Sequence, residues 1–248
     1  MNRVGLIIIC TGNYHQFLQP LITSADKYFF KEEFYDIYLF TDNTDLVIDS
    51  TRGCLIATEI PHLPFPYPTL YRYKWMTENR DVFTADNLYY IDVDMLFENT
   101  VGEEILPNES GLVAVRHPGY HISKGWGSRK THSRSMAYLN PTHWHDYYCG
   151  GFQGGTRSEY LYAADVMRIR ITTDETTAAM IGYTHNNSIL AEYHDETHWN
   201  YHLKHHGFKE LTPEYCMVEQ MELRKKWGID NLTPRIIALQ KDHKKLRT

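Results

Sequence analysis

The chain has 248 residues, and no Pro/Gly/Ser tract, charge block or repeat divides it, so one α/β domain over 1–248 is expected. Hydrophobic residues make up 42%, enough for a large core and too many for a disordered chain. A net charge of −6 argues against general binding to nucleic acid or to membrane surfaces.

Val4 to Cys10 is apolar but short, lacks a small-residue cleavage site, and reads as a first strand. No other apolar run approaches membrane-spanning length, so no membrane span is expected. Cys10, Cys54, Cys149 and Cys216 are scattered without paired metal spacing, which points to reduced thiols and a cytoplasmic protein. After the loop Thr11-Gly12-Asn13-Tyr14, apolar residues at Phe17, Leu18, Leu21, Ile22 and Tyr28 predict a helix. Tyr35 to Thr41 and Leu55 to Ile60 read as strands, and Pro61 to Pro68 as a proline-rich loop. Thr69 to Arg80 is expected to be helical, with Leu70, Tyr73 and Met76 facing inward and Arg72 and Lys74 delivered towards the next strand. This alternation predicts a mostly parallel sheet.

That next strand is Asn87 to Ile91, and it runs into Asp92-Val93-Asp94. In an extended chain alternate side chains point the same way, so the two carboxylates can converge at a strand end, where open α/β sheets bind ligands. Converging like charges call for a hard divalent cation, Mn²⁺ or Mg²⁺, which can neutralise a diphosphate leaving group. The plainer alternative is a polar strand end feeding a solvated loop.

Leu112 to Arg116 is a further strand, followed by the turn His117-Pro118-Gly119. Tyr120 to Asp146 is aromatic, polar and weakly periodic, as suits a long loop over a substrate site. Tyr147 to Gly155 carries four glycines in a strand context, which marks either a close approach of ligand or backbone, or a bulged edge strand. Ser158 to Arg170 is expected to be one helix and Asp174 to Met180 the start of another.

Tyr193-His194-Asp195-Glu196-Thr197-His198 allows three readings. His194 and His198, four apart, could hold zinc on a helix, although the zinc-protease pattern wants Glu directly after the first His. Asp195 could cap a helix, or Glu196 could be a catalytic carboxylate. His202, His205 and His206 are expected on a solvated face. Leu211 to Tyr215 reads as a strand or turn, and the tail from Ile236 to Arg247 is basic at its end. Such a tail is either frayed and solvated or folded over a diphosphate.

Taken in order, these segments resemble the family 6 retaining glycosyltransferases, which include the ABO blood-group transferases and α-1,3-galactosyltransferase. The resemblance rests on Phe40-Thr41-Asp42, Arg72 with Lys74, and Tyr89 to Met95. It continues through His117-Pro118-Gly119, Tyr147-Tyr148 with Gly154-Gly155, His194 to His198, Pro213-Glu214-Tyr215, and Lys241 with His243 and Arg247. It implies a GT-A fold, with a nucleotide-binding part over about 1–110 and a donor-sugar and acceptor part over about 111–248. It also implies transfer of galactose or N-acetylgalactosamine from UDP to a galactose-containing acceptor, in α-1,3 linkage with retention.

Residue by residue, Asp92 and Asp94 match the metal pair, with Val93 between them and Arg72 beside the nucleotide. Thr11 and Tyr14 fall where the family packs uracil, Thr11 replacing a larger apolar residue. Glu196 matches the carboxylate under the anomeric carbon, and Asp195 a neighbour that binds sugar hydroxyls. His117 and Tyr193 match acceptor positions, and Lys241 and Arg247 the basic residues that close on the diphosphate. Cys149, Gly150 and Gly151 match the segment that tells galactose from N-acetylgalactosamine; Gly151, with no methyl, implies room for the N-acetyl group and a preference for UDP-GalNAc over UDP-Gal. A compact member of the bacterial or phage type, without the membrane anchor and stem of the animal enzymes, is expected. Many bacterial members carry Asn at both metal positions, whereas Asp here points to Mn²⁺. Val218 stands where the family often has an acceptor-binding Asp, which removes a basis for recognising fucosylated acceptors. The different-class alternative is a catalytically weak UDP-sugar or glycan-binding protein of the same fold.

Overall fold

The computed structural model describes residues 3–125, 127–140, 146–181 and 189–247. Its main sheet takes the strands β1 (Val4–Cys10), β2 (Tyr35–Thr41), β3 (Gly53–Glu59), β4 (Asn87–Ile91), β6 (Leu112–Arg116), β7 (Tyr148–Thr156) and β8 (Lys209–Leu211) in the order β3-β2-β1-β4-β7-β6-β8. β7 runs antiparallel to both its neighbours, and every other adjacent pair is parallel. β1, β2 and β4 are buried at every residue, as strands covered on both faces must be. Alternation then splits the core in two. Leu6, Ile8, Ile37, Leu39 and Tyr89 face α1 (His15–Tyr28), while Ile7, Ile9, Tyr38, Phe40 and Tyr90 face α3 (Arg72–Glu78), α4 (Arg157–Met180) and α5 (His194–His205).

A small second sheet joins β5 (Met95–Phe97), β10 (Ile236–Ala238) and β9 (Met217–Val218). Its last strand ends at the bond from Leu239 N–H to the Asp94 carbonyl, 3.0 Å. That bond delivers the C-terminal tail, with α7 (His243–Leu246), to the end of β4. Helix α6 (Met221–Trp227) lies between β9 and β10 in the chain and ends at Gly228 in the left-handed region, φ 67°. Among the described residues, no helix is long and apolar enough to cross a membrane.

Several expectations need correcting. The helix expected over 69–80 is broken at Tyr71 into α2 (Tyr67–Leu70) and α3, with Arg80 already in a 3₁₀ turn. Leu70, Tyr73 and Met76 face inward as expected, but Lys74 is on the solvent side, 4.0 Å from Glu78. α4 does not stop near Asp174. Thr173, Thr176 and Thr177 donate their hydroxyls to carbonyls one turn back, and Asp174 is taken by tertiary partners, so the polar run stays helical. Asp195 is not a cap: Tyr193 holds that position and Asp195 lies in the first turn of α5. His202 is buried, stacked on Trp199 at 6.2 Å, whereas His205 is exposed. Of the long loop expected over 120–146, residues 126 and 141–145 lie outside the described residues.

Candidate functional site

One cleft of about 920 Å³, its open mouth included, lies at the carboxyl ends of β1 and β4. Thr11 and Tyr14 line one side of it, in a turn that Asp42 pins by accepting from Gly12 N–H (3.1 Å) and contacting His15 at 2.9 Å. Asp92, Val93 and Asp94 line the floor. These three form a turn between β4 and β5, closed by Met95 N–H on the Asp92 carbonyl, so the two carboxylates reach the cleft from a turn and not by strand alternation.

Arg72 is the hub. Only 2% exposed, its guanidinium reaches Asp92 Oδ1 at 3.2 Å, Asp195 Oδ2 at 3.1 Å and the Gly150 carbonyl at 2.7 Å, and lies over the Tyr90 ring at 3.9 Å. Burial works against its charge, but Asp195, Tyr90 and Asp92 outweigh it and hold the pKa above the usual arginine range. Asp92 also accepts from Tyr90 Oη at 2.7 Å. Asp94 is paired with the ammonium group of Lys241, whose pKa burial pushes below the usual lysine range while Asp92 opposes the shift. Leu246 is buried at the cleft, and Arg247 lies 3.5 Å from the centre of the Phe65 ring. The tail is therefore folded over the cleft.

The antiparallel course of β7 brings its amino end beside the carboxyl end of β4, where Asp92 N–H donates to the Gly151 carbonyl at 2.9 Å. From the other side comes the start of α5. His194 has φ 50°, a left-handed conformation that is strained for a side-chain-bearing residue, and Phe65 packs on its ring at 5.3 Å. Past that bend, Glu196 Oε2 accepts the Gly150 N–H at 2.7 Å. Asp195 is 1% exposed, and its contact with Arg72 is close but not aligned as a hydrogen bond. Burial pushes its carboxyl up to about 7, with Arg72 pulling it down and Asp92 and Glu196 raising it further.

The glycines of β7 are there for close approach. β7 is an interior strand, and a Cβ at Gly150 would lie 3.1 Å from Glu196 Cβ, one at Gly151 3.0 Å from Asp92 Oδ2. The ladder does shift register, between Ala114 and Arg116 on the neighbouring strand. Cys149 faces away from Gly150, in the core on the opposite face, where it meets Cys216 and burial pushes its thiol up. All four cysteines are free.

Beyond Glu196 the site turns aromatic. His117 packs against Tyr120, Tyr147 and Trp227 at 5.3, 5.6 and 6.3 Å, and Tyr193, half exposed, approaches Tyr147 at 6.5 Å. Burial lowers the His117 pKa, with Glu196 opposing. The zinc reading finds no support in the packing: His198 is buried against Asp174 at 3.5 Å, while His194 packs on Phe65. The sequence gives no individual role to Tyr120, Trp227 or Asn200; the Asn200 amide clamps Tyr148 N–H and C=O at 2.8 Å each and so fixes α5 to β7. Nothing local marks these residues, because they meet only when distant segments fold together.

The comparisons with known proteins fit this geometry. The family model described as Glycosyltransferase family 6 matches residues 70–248. Histo-blood group ABO system transferase 1 of Rattus norvegicus is 27% identical over 98% of this chain and 68% of its own length. Globoside alpha-1,3-N-acetylgalactosaminyltransferase 1 of Homo sapiens is 26% identical over 86% of this chain, which spans 60% of that protein. O-antigen biosynthesis glycosyltransferase WbnI of Escherichia coli is 23% identical over 96% of this chain and 95% of its own length. With a mostly parallel seven-stranded sheet of GT-A type and a family match over most of its length, the chain belongs to glycosyltransferase family 6.

Proposed function

We propose that this glycosyltransferase moves N-acetylgalactosamine or galactose from a UDP-sugar to the 3-hydroxyl of a galactoside, in α-1,3 linkage with retention, as one catalytic domain. The observation that carries this reading is the convergence on buried Arg72 of Asp92, Asp195 and the Gly150 backbone that holds Glu196. Fixed charge at one cleft end is what a diphosphate leaving group and a developing positive sugar carbon require. In this reading Thr11, Tyr14 and Val93 hold the nucleoside, and Lys241 and Arg247 neutralise the diphosphate. Asp195 and His117 bind sugar hydroxyls, Tyr193 and Trp227 offer apolar ring faces to the acceptor, and Gly150 and Gly151 leave room beside the donor sugar. Cys149, turned into the core, acts only through backbone shape.

The donor set also fits a divalent cation. Two carboxylates line the cleft, and Asp94 already takes a cationic partner, the Lys241 ammonium. Asp92 and Asp94 would hold Mn²⁺ or Mg²⁺, which supplies charge neutralisation at the diphosphate when bound. The protein's own part is at the sugar. As the bond from C1 to the UDP oxygen breaks, Glu196 either attacks C1 or stabilises an oxocarbenium-like centre. The acceptor oxygen then bonds C1 on the face UDP left, releasing the Glu196 carboxylate where that carboxylate had bonded C1, and its proton passes to the departing phosphate.

The test is UDP release with UDP-GalNAc and UDP-Gal, with and without a galactoside, before and after EDTA. Acceptor-dependent UDP release that EDTA abolishes and Mn²⁺ restores is expected. Tight UDP binding without turnover would instead describe a binding protein, and full activity in EDTA would remove the metal.

A further inference from the structure

Tyr147 has no role in the account so far, yet it is among the most enclosed aromatics of the site. It is 1% exposed, and its ring lies against His117 at 5.6 Å and Tyr120 at 5.1 Å. Gly127 lies so close beneath it that a Cβ there would be 2.6 Å from the ring carbon bearing the hydroxyl. No side chain at 127 leaves the tyrosine where it is. Its backbone is held as well, the Tyr147 carbonyl accepting from His117 N–H at 2.9 Å.

The hydroxyl belongs to a chain of bonds whose direction can be worked out. The Glu196 carboxylate is the acidic neighbour of the Tyr147 hydroxyl. Its Oη is 3.0 Å from Ser128 Oγ, which is 2.7 Å from Thr197 Oγ1. Thr197 Oγ1 in turn accepts the Tyr193 N–H at 3.0 Å. An ionised carboxylate only accepts, so the tyrosine proton points to Glu196. Ser128 must then donate to Tyr147, and Thr197 to Ser128, since each hydroxyl has one proton. Burial and the neighbouring Glu196 both keep the phenol protonated, which agrees with a donor role. A chain running one way polarises each bond along it.

We propose that Tyr147 is a positioning residue for Glu196: its hydroxyl, fixed by Ser128, holds the carboxylate against Gly150 N–H so that one oxygen faces the donor sugar. The inference rests on the glycosyl-transfer reading of the site. It also ties the carboxylate to the loop around residue 128. That loop is anchored independently, by Ser135 Oγ and Met136 N–H on Asp174 at 2.6 and 2.7 Å and by Lys130 N–H on Glu192 at 2.7 Å. Whatever moves this loop moves the catalytic group.

The test uses Tyr147→Phe and Ser128→Ala, each read by steady-state kinetics, by UDP affinity and by a crystal structure. Loss of one hydrogen bond to a charged group predicts kcat lower by about ten- to hundredfold in Tyr147→Phe, with a smaller loss in Ser128→Ala. Donor KM, acceptor KM and UDP affinity should stay as in the wild type, and the Glu196 carboxylate should leave the Gly150 amide. A loss confined to acceptor KM would make Tyr147 a mere part of the pocket wall. Unchanged kcat, or a carboxylate still seated on Gly150 in both variants, would overturn the proposal. If the wild type itself turns over no UDP-sugar, the transfer reading fails, while the two crystal structures still decide whether the hydroxyl positions Glu196.

Discussion

The two ends of the site are built differently. The end proposed to hold the donor is a knot of charge where the end of β4 meets the starts of α3 and α5: Arg72, Asp92 and Asp195, buried or half-buried, with Asp94 and Lys241 beside them. The end proposed to hold the acceptor is a cage of rings on loops and on short α6: His117, Tyr120, Tyr147, Tyr193 and Trp227. Buried charges are tolerable only as a set, so the donor end is all-or-none in composition. Rings pack independently and can be exchanged singly, so the acceptor end is where specificity can drift. Val218 illustrates this. It stands on β9 where the family often carries an acceptor-binding Asp, while Trp227, nine residues further on, packs over His117.

This contrast can be broken or sharpened by substitution. The largest effect is expected for Arg72→Ala, which leaves the buried Asp195 without its cation. It should cost about 3–5 kcal/mol in urea unfolding and abolish UDP binding. Trp227→Ala is its counterpart at the other end, expected to raise acceptor KM while the unfolding midpoint changes little. Equal destabilisation by the two would erase the distinction.

Next in size is removal of the residues after Gln240. In the proposed reading Lys241 and Arg247 would each lose a charge-assisted contact of roughly 1.5–3 kcal/mol with the diphosphate, so UDP should bind more weakly and transfer slow by at least about tenfold. Kinetics unchanged by this truncation would make the tail a bystander. A smaller effect is expected for Gly151→Ala. The wild type should use UDP-GalNAc better than UDP-Gal, and the added methyl should shift the ratio towards UDP-Gal by about 1–3 kcal/mol of discrimination. It would also press on Asp92 Oδ2, 3.0 Å away, so a lower rate with both donors should accompany the shift. A wild-type lead for UDP-Gal would reverse the assignment.

A further effect concerns pH. Asp195 is raised by burial from its ordinary 3.8 to about 7, so between those values the folded protein keeps a proton that the unfolded chain has released. Its contribution to stability therefore falls as pH rises through that window and levels off above it. Measured as the difference between wild type and Asp195→Asn, the wild type should lose ground from pH 4 to pH 7; a flat difference would place an ionised Asp195 in the fold throughout.

The charged end of the site was legible in the sequence because its signals are local. Asp92 and Asp94 follow an apolar strand directly, and four glycines in nine residues announce a close backbone approach at β7. Even there the mechanism differed in detail, since a turn and not strand alternation presents both carboxylates to the cleft. The acceptor end was legible only through His117 and Tyr193. Tyr120, Tyr147 and Trp227 come from three separate segments, and aromatic residues elsewhere in this chain are mostly core, as Tyr38, Tyr73 and Tyr89 are. Helix ends failed for a related reason. The polar run Thr172-Thr173-Asp174 looks like a terminus until the loop carrying Ser135 and Met136 arrives to use Asp174.

The central claim is that Glu196 acts at the transferred sugar, and the most direct measurement compares wild type with Glu196→Gln for sugar transfer and for UDP affinity in the same preparation. The account predicts unchanged UDP affinity with most of the transfer rate lost. Near-normal turnover in Glu196→Gln would contradict it and move the catalytic role to another group, with Asp195 the first to examine.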